Sequence, residues 1–135
     1  MTGHDGAADR RPGGGVYEWY RRGLDLLRSG NPAAAVQVLA HAAEAEPEAR
    51  SIREALARAQ FDARMYAEAR DSFRRITEAN PADDYAQFGC GLAAARVGDL
   101  RTAVEHLALA VAMRPDIHHY ASALRDARAR LRRRL

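Results

Sequence analysis

The chain has 135 residues, 47% hydrophobic and 29% charged, with a net charge of +3, which suits one domain with a modest core. Its one cysteine, Cys90, excludes an internal disulfide framework, and no run of residues is long and apolar enough to span a bilayer. Every basic residue is an arginine, whose planar fork favours bidentate pairing with carboxylates and phosphates.

Residues 1–15, MTGHDGAADRRPGGG, carry charges and glycines but almost no large apolar group. They cannot repay the entropy of ordering and read as a disordered tail. They also lack the apolar stretch of a secretory signal, so the cytoplasm is the expected compartment. A first helix is expected over about 16–29, ending at Gly30. Asn31 and Pro32 offer an N-cap and a first helical residue with φ already set, for a second helix to about Glu46. Ser51-Ile-Arg-Glu54 reads as a capping box opening a third helix. A fourth spans about 66–79 and is closed by Asn80-Pro81. Asp83 or Asp84 caps a fifth that ends near Val97-Gly98, and Asp99 caps a sixth to about Met113. Asp116 opens a seventh that runs into the arginine-rich terminus. Strand signals are absent. The junction at 62–65 has no glycine or asparagine to mark its turn.

A period runs through these elements. Pro47, Pro81 and Pro115 stand 34 residues apart, the spacing of a stacked helix–turn–helix array. Twelve residues before each proline is Ala35, Ala69 or Ala103; eight before is Leu39, Phe73 or Leu107. Twenty-four before is Gly23, Ala57 or Gly91, and seventeen before stand Gly30, Arg64 and Gly98. Antiparallel helices approach closely only where one presents a small residue, and the large residue fills the space left over.

In these residues the chain resembles the tetratricopeptide repeat family, whose motif reads W-x2-L-G-x2-Y…A-x3-F…P. The first unit carries Trp19-x2-Arg22-Gly23-x2-Leu26, Ala35-x3-Leu39 and Pro47. The second carries Leu56-Ala57, Ala69-x3-Phe73 and Pro81; the third carries Cys90-Gly91, Ala103-x3-Leu107 and Pro115. Departures are Arg22 in place of leucine, and Arg53 and Gln60 where aromatics often sit. The resemblance implies an all-α fold, a right-handed α-solenoid of about seven helices in antiparallel pairs. One domain over 16–135 would hold repeats at about 16–49, 50–83 and 84–117 and a capping helix at 118–135.

Catalytic signatures are missing: there is no H-E-x-x-H, no phosphate loop, no G-x-S-x-G and no paired cysteines. Gly89-Cys90-Gly91 falls mid-helix, where the register wants small residues, and Cys90 reads as a packed core thiol. His118 and His119 are neighbours on a helix and point about 100° apart, a poor arrangement for sharing a metal. No enzyme activity, cofactor or metal is expected.

What remains is a surface. The family geometry implies that the first helix of each unit lines a concave face. Carried over, it places Tyr17, Tyr20, Leu24 and Arg28 there from the first unit, with Ser51, Glu54, Arg58 and Phe61 from the second. The third gives Tyr85, Phe88, Leu92 and Arg96, and His119, Ser122 and Asp126 extend the face along the cap. The function this implies is a non-catalytic adaptor that binds a peptide or protein segment in an aromatic groove, since aromatics and arginine are enriched where partners bind. Two other readings share these residues: self-association into an oligomer, and rings that are simply core. The lysine and asparagine positions of the family's carboxylate clamp fall at Tyr20, Leu24 and Ala55, which argues against capture of a C-terminal acidic tail in that mode.

The last segment has its own chemistry. Residues 118–135 hold Arg125, Arg128, Arg130, Arg132, Arg133 and Arg134 against a single acid, Asp126, leaving 1–117 net negative. Compensation of a helix dipole and a polar outer face account for some of them. The alternative function is therefore an accessory binder of nucleic acid, an anionic surface or an acidic protein. No aromatic platform accompanies the arginines, so sequence-specific reading of nucleic acid is not expected.

Overall fold

The computed structural model describes residues 15–135; the rest of the expected N-terminal tail lies outside the described residues. Among the described residues seven helices follow one another: α1 Val16–Arg28, α2 Pro32–Ala45, α3 Arg50–Asp62, α4 Tyr66–Ala79, α5 Asp84–Arg96, α6 Leu100–Met113 and α7 His118–Arg134. No strand occurs among the described residues. The chain divides into two compact units, one ending at Ala63 and holding α1–α3, the other starting at Arg64 and holding α4–α7. The boundary falls inside the second repeat of the 34-residue register, at the turn that the sequence leaves unmarked.

In the first unit, α1 and α2 meet at Gly23. A Cβ there would collide with the Leu39 side chain, which is itself fully buried. Trp19, Ala35, Ala42, Ala43, Ile52, Ala55, Leu56 and Ala59 complete this core around Leu39. Glycine is needed because the leucine occupies the volume that a methyl group would take.

The second unit repeats the device. A Cβ on Gly91 of α5 would lie 2.6 Å from Cγ of Leu107 on α6, and one on Gly89 would lie 2.6 Å from the Phe73 ring of α4. With neighbours on several sides, α5 is buried all round, from Ala86 to Ala95 apart from the half-buried Leu92. Its buried amide, Gln87, donates from Nε2 to the Pro81 carbonyl at 3.0 Å and meets His106 Nδ1 of α6 at 2.6 Å, so both polar ends are satisfied. α7 covers α6 through Tyr120, Leu124 and Ala127, which join Leu100, Ala103, Leu107 and Ala110 in one cluster.

The turns explain themselves through backbone conformation. After α1, Gly30 takes φ +82°, the Asn31 N–H reaches the Leu26 carbonyl at 2.8 Å and the Gly30 N–H reaches Leu27 at 3.1 Å. After α5, Gly98 takes φ +89°, with Asp99 N–H to Ala94 at 2.9 Å and Gly98 N–H to Ala95 at 3.1 Å. This pairing satisfies the orphan carbonyls at a helix end. Arg64, at the same place in the register after α3, takes φ +65° without being a glycine. The left-handed conformation costs such a residue about 1–2 kcal/mol.

Helix starts differ in part from expectation. Asp83 caps α5, accepting from the Ala86 N–H at 3.1 Å, and Asp99 caps α6, accepting from Thr102 at 3.3 Å. The Thr102 hydrogen bonds hold the Asp99 carboxyl below its ordinary range. Asn31 stands at the α2 cap, but its amide turns to the Ser29 hydroxyl at 3.0 Å. The capping box at Ser51 is corrected: α3 begins at Arg50 with Ala49 as its cap, and Glu54 pairs with Arg50 one turn earlier. The Arg50 pairing occupies the carboxylate that the box required. Asp116 is corrected too. It takes two hydrogen bonds from Arg114, at 3.1 and 2.9 Å, and Ile117 caps α7.

Two substitutions test this packing. Helix propensity alone would let Gly91→Ala raise stability by about 1 kcal/mol. The collision with Leu107 reverses the sign, since overpacking costs about 1–3 kcal/mol; circular dichroism melts should show a lower Tm, and a higher one would mean a loose crossing. Arg64→Gly should raise stability by about 0.5–1 kcal/mol, strain relief less the added chain entropy. Gly98→Ala should lower it, and equal responses at the two positions would contradict the shared turn.

Candidate functional site

The expected face is best formed on the first unit. On α1, Tyr17 is 66% exposed, with the Arg21 guanidinium 5.9 Å from its ring centroid. Tyr20 and Leu24 are half-buried, leaning on the core around Leu39 while keeping an outer surface. Arg28, one turn further, is exposed and paired with Asp25. On α3, Ser51 and Arg58 are exposed, Phe61 is half-buried and Glu54 is held by Arg50. The spacing of three and four residues that puts Tyr17, Tyr20, Leu24 and Arg28 on one side of α1 is ordinary helix geometry. Tyr20 and Leu24 are thus anchored on the core with an outer surface, and Tyr17 and Arg28 stand exposed a turn to either side.

On the second unit the face is different. Phe88 is 9% exposed and stacks on Tyr120 of α7, with centroids 4.6 Å apart and planes at 25°. His119 meets the same ring edge-on at 5.1 Å. Phe88 is thus a core ring that the cap covers, and it is removed from the expected surface. Tyr85 is half-buried, set edge-on to Phe73 at 6.0 Å and tilted to Phe88 at 6.3 Å. Leu92 is half-buried against the α5–α7 core. Arg96 is exposed but engaged: Nη1 donates to the Tyr66 hydroxyl at 2.6 Å, and its guanidinium lies 5.1 Å from that ring's centroid. Tyr66 was not foreseeable from spacing, because it stands 30 residues from Arg96 on the preceding helix.

Tyr120 locks the cap. Its hydroxyl donates to Asp84 at 2.7 Å, and burial, reinforced by that carboxylate, pushes the phenol well above its ordinary range. The phenol therefore stays protonated and donating. Of the cap residues expected to extend the face, His119 and Asp126 are exposed and Ser122 is half-buried, taking a hydrogen bond from Arg125 at 3.1 Å.

The arginines of α7 fall into two groups. Arg130 donates to the Ala95 carbonyl at 3.3 Å, and Arg134 to the Gly98 carbonyl at 2.9 Å. Both neutralise the C-terminal end of α5, where partial negative charge accumulates. Arg125, Arg128, Arg132 and Arg133 face solvent.

Cys90 is buried, gives its thiol hydrogen to the Arg70 carbonyl at 3.6 Å, and burial pushes its pKa up to about 11. It remains a thiol at neutral pH. Among the described residues no group of three or more His, Cys, Asp or Glu is placed to hold a metal, and no helix is long and apolar enough to cross a membrane.

The sequence signal and this architecture meet in known proteins. No curated protein matches the chain. Among solved structures, the first TPR domain of Spaghetti (RPAP3), bound to the HSP90 peptide SRMEEVD, is similar with a TM-score of 0.80 and 17% identity, over 86% of this chain and 92% of that one. The first TPR domain of human RPAP3 gives 0.78 and 17%, over 86% and 91%. MamA from Desulfovibrio magneticus RS-1 gives 0.81 and 23% over 85% of this chain, which spans 65% of that one. At such identities the likeness carries the fold alone. A family model described as tetratricopeptide repeat matches residues 20–84 and again 54–118, well over half the sequence. With its all-α, solenoid-type architecture, the chain belongs to the tetratricopeptide repeat family.

Proposed function

We propose that the chain is a non-catalytic adaptor that holds a polypeptide segment against the first-helix faces of its repeats. The observation that carries this reading is the face of the first unit. Tyr17 is exposed, Tyr20, Leu24 and Phe61 are half-buried, and Arg28 and Arg58 flank them. Tyr20 and Leu24, packed on the core but open on one side, give up little entropy on binding, which suits them to anchor a partner. On the second unit, taken by itself, Tyr85, Leu92 and Arg96 of α5 are a further candidate contact, without Phe88. The RPAP3 domain of the same fold is bound to a short peptide, which supports the general mode. Tyr20, Leu24 and Ala55 stand at the family's clamp positions, so the segment we propose is read through its apolar side chains and not through a C-terminal carboxylate. The cytoplasm is the compartment we propose, since no disulfide framework points to an oxidising one.

A second reading keeps one observation of its own. Arg125, Arg128, Arg132 and Arg133 are exposed on α7 after Arg130 and Arg134 have been used to cap α5. Such a stripe attracts a polyanion, and its contribution should fade with salt.

A partner captured from the source cells separates the readings by calorimetry at two ionic strengths. Tyr17→Ala with Arg58→Ala, both at exposed positions, should weaken binding about tenfold, roughly 1.4 kcal/mol, with helicity unchanged. Neutralising Arg128, Arg132 and Arg133 should flatten the salt dependence and leave high-salt affinity in place. Full affinity in the first variant and lost affinity in the second would move the site to α7. Capture of the chain's own copies alone would make the face an oligomer contact.

A further inference from the structure

The first unit carries a second concavity that the reading above does not use. Trp19 and Arg22 of α1, with Gln37, Val38 and His41 of α2, line a cleft of about 190 Å³. Arg22 lies two residues from each of Tyr20 and Leu24, hence on the opposite side of α1 from that face. We propose that this cleft is a separate recognition site, for an aromatic side chain of a partner polypeptide that carries a carboxylate beside the ring.

The shape sets the first half of that preference. Sites for drug-sized ligands occupy roughly 300–1,000 Å³, so this cleft has room for about one ring. Its walls are the rings of Trp19 and His41, with centroids 5.8 Å apart and planes at 53°. Trp19 is 4% exposed and fixed by the core, while His41 is exposed and Val38 half-buried. A third ring can therefore lie against the exposed His41 ring and Val38, with only the edge of Trp19 open at the base of the cleft, in the tilted arrangements aromatic groups prefer.

Charge sets the second half. Arg22 is exposed at the rim and no acid among the described residues forms an ion pair with it. Asp25, three residues on, is paired with Arg28. The cleft lining contains no acid, and Gln37, also in the lining, carries an amide donor. At Arg22 the family motif has a leucine, so this chain carries, where the motif is apolar, a cation able to hold a carboxylate by two parallel hydrogen bonds.

The chain's sole tryptophan, Trp19, is the reporter. The full chain is titrated with three blocked dipeptides (acetyl-Asp-Phe-amide, acetyl-Asn-Phe-amide and acetyl-Asp-Ala-amide), exciting where phenylalanine does not absorb. The first should change Trp19 emission saturably. Loss of its ring should weaken binding about tenfold, and loss of its charge about threefold to fivefold. Arg22→Gln should erase the preference for Asp over Asn and keep the need for the ring. Tyr17→Ala should change nothing, which makes this site fail or stand independently of the face on the other side of α1. No saturable response, equal response to all three probes, or an Asp preference that survives Arg22→Gln would overturn the proposal. So would a Trp19 signal that moves on simple dilution, which would make a second copy the occupant, or on removal of residues 1–14, which would make it the chain's own segment.

Discussion

Close approach of paired helices at a position without a side chain is the constraint from which the other features follow. Gly23 facing Leu39, and Gly91 facing Leu107, leave the space of a methyl group to be filled by the partner leucine. Once helices sit that near, few large residues are needed inside, and the alanines at 35, 42, 59, 103 and 110 suffice for a fully buried interior. The larger side chains are then free to work at the margins of the core. That is where Tyr17, Tyr20, Tyr66 and Tyr85 stand, while Tyr120 is core.

The two units use their margins differently. In the first, Tyr17 and Arg58 are left to solvent and Tyr20, Leu24 and Phe61 are half-covered, the graded surface we propose as the polypeptide-binding face. In the second, α7 folds over the margin and takes Phe88 for its own stack with Tyr120, fastened by the bond to Asp84. The same covering recruits Arg130 and Arg134 to the end of α5. One helix thus consumes an aromatic and two cations that would otherwise count as binding groups. What it leaves exposed is a stripe of four arginines.

Most of the architecture was legible in the sequence because it rests on spacing. The 34-residue period located the glycine–leucine pairs, the turn glycines and even the unmarked turn, where Arg64 adopts the backbone conformation of its glycine counterparts. Capping was legible only where no competitor intervened: Asp83 and Asp99 cap as expected, but Arg114 takes Asp116 and Arg50 takes Glu54. The surface was less legible. Periodicity gives the side of a helix on which Phe88 lies, yet whether that side meets solvent depends on α7, which is distant in sequence. The cleft at Trp19 had a signal, the arginine at position 22 where the motif has leucine, but its meaning needed the position of His41 on the neighbouring helix.

The division of rings into surface and core is open to direct observation. Backbone amide shifts mapped by NMR on adding the captured partner should move at Tyr17, Tyr20, Leu24, Arg58 and Phe61 and stay still at Phe88 and Tyr120. Shifts confined to Arg125, Arg128, Arg132 and Arg133, with the α1 and α3 residues unmoved, would contradict a polypeptide-binding face on the first unit.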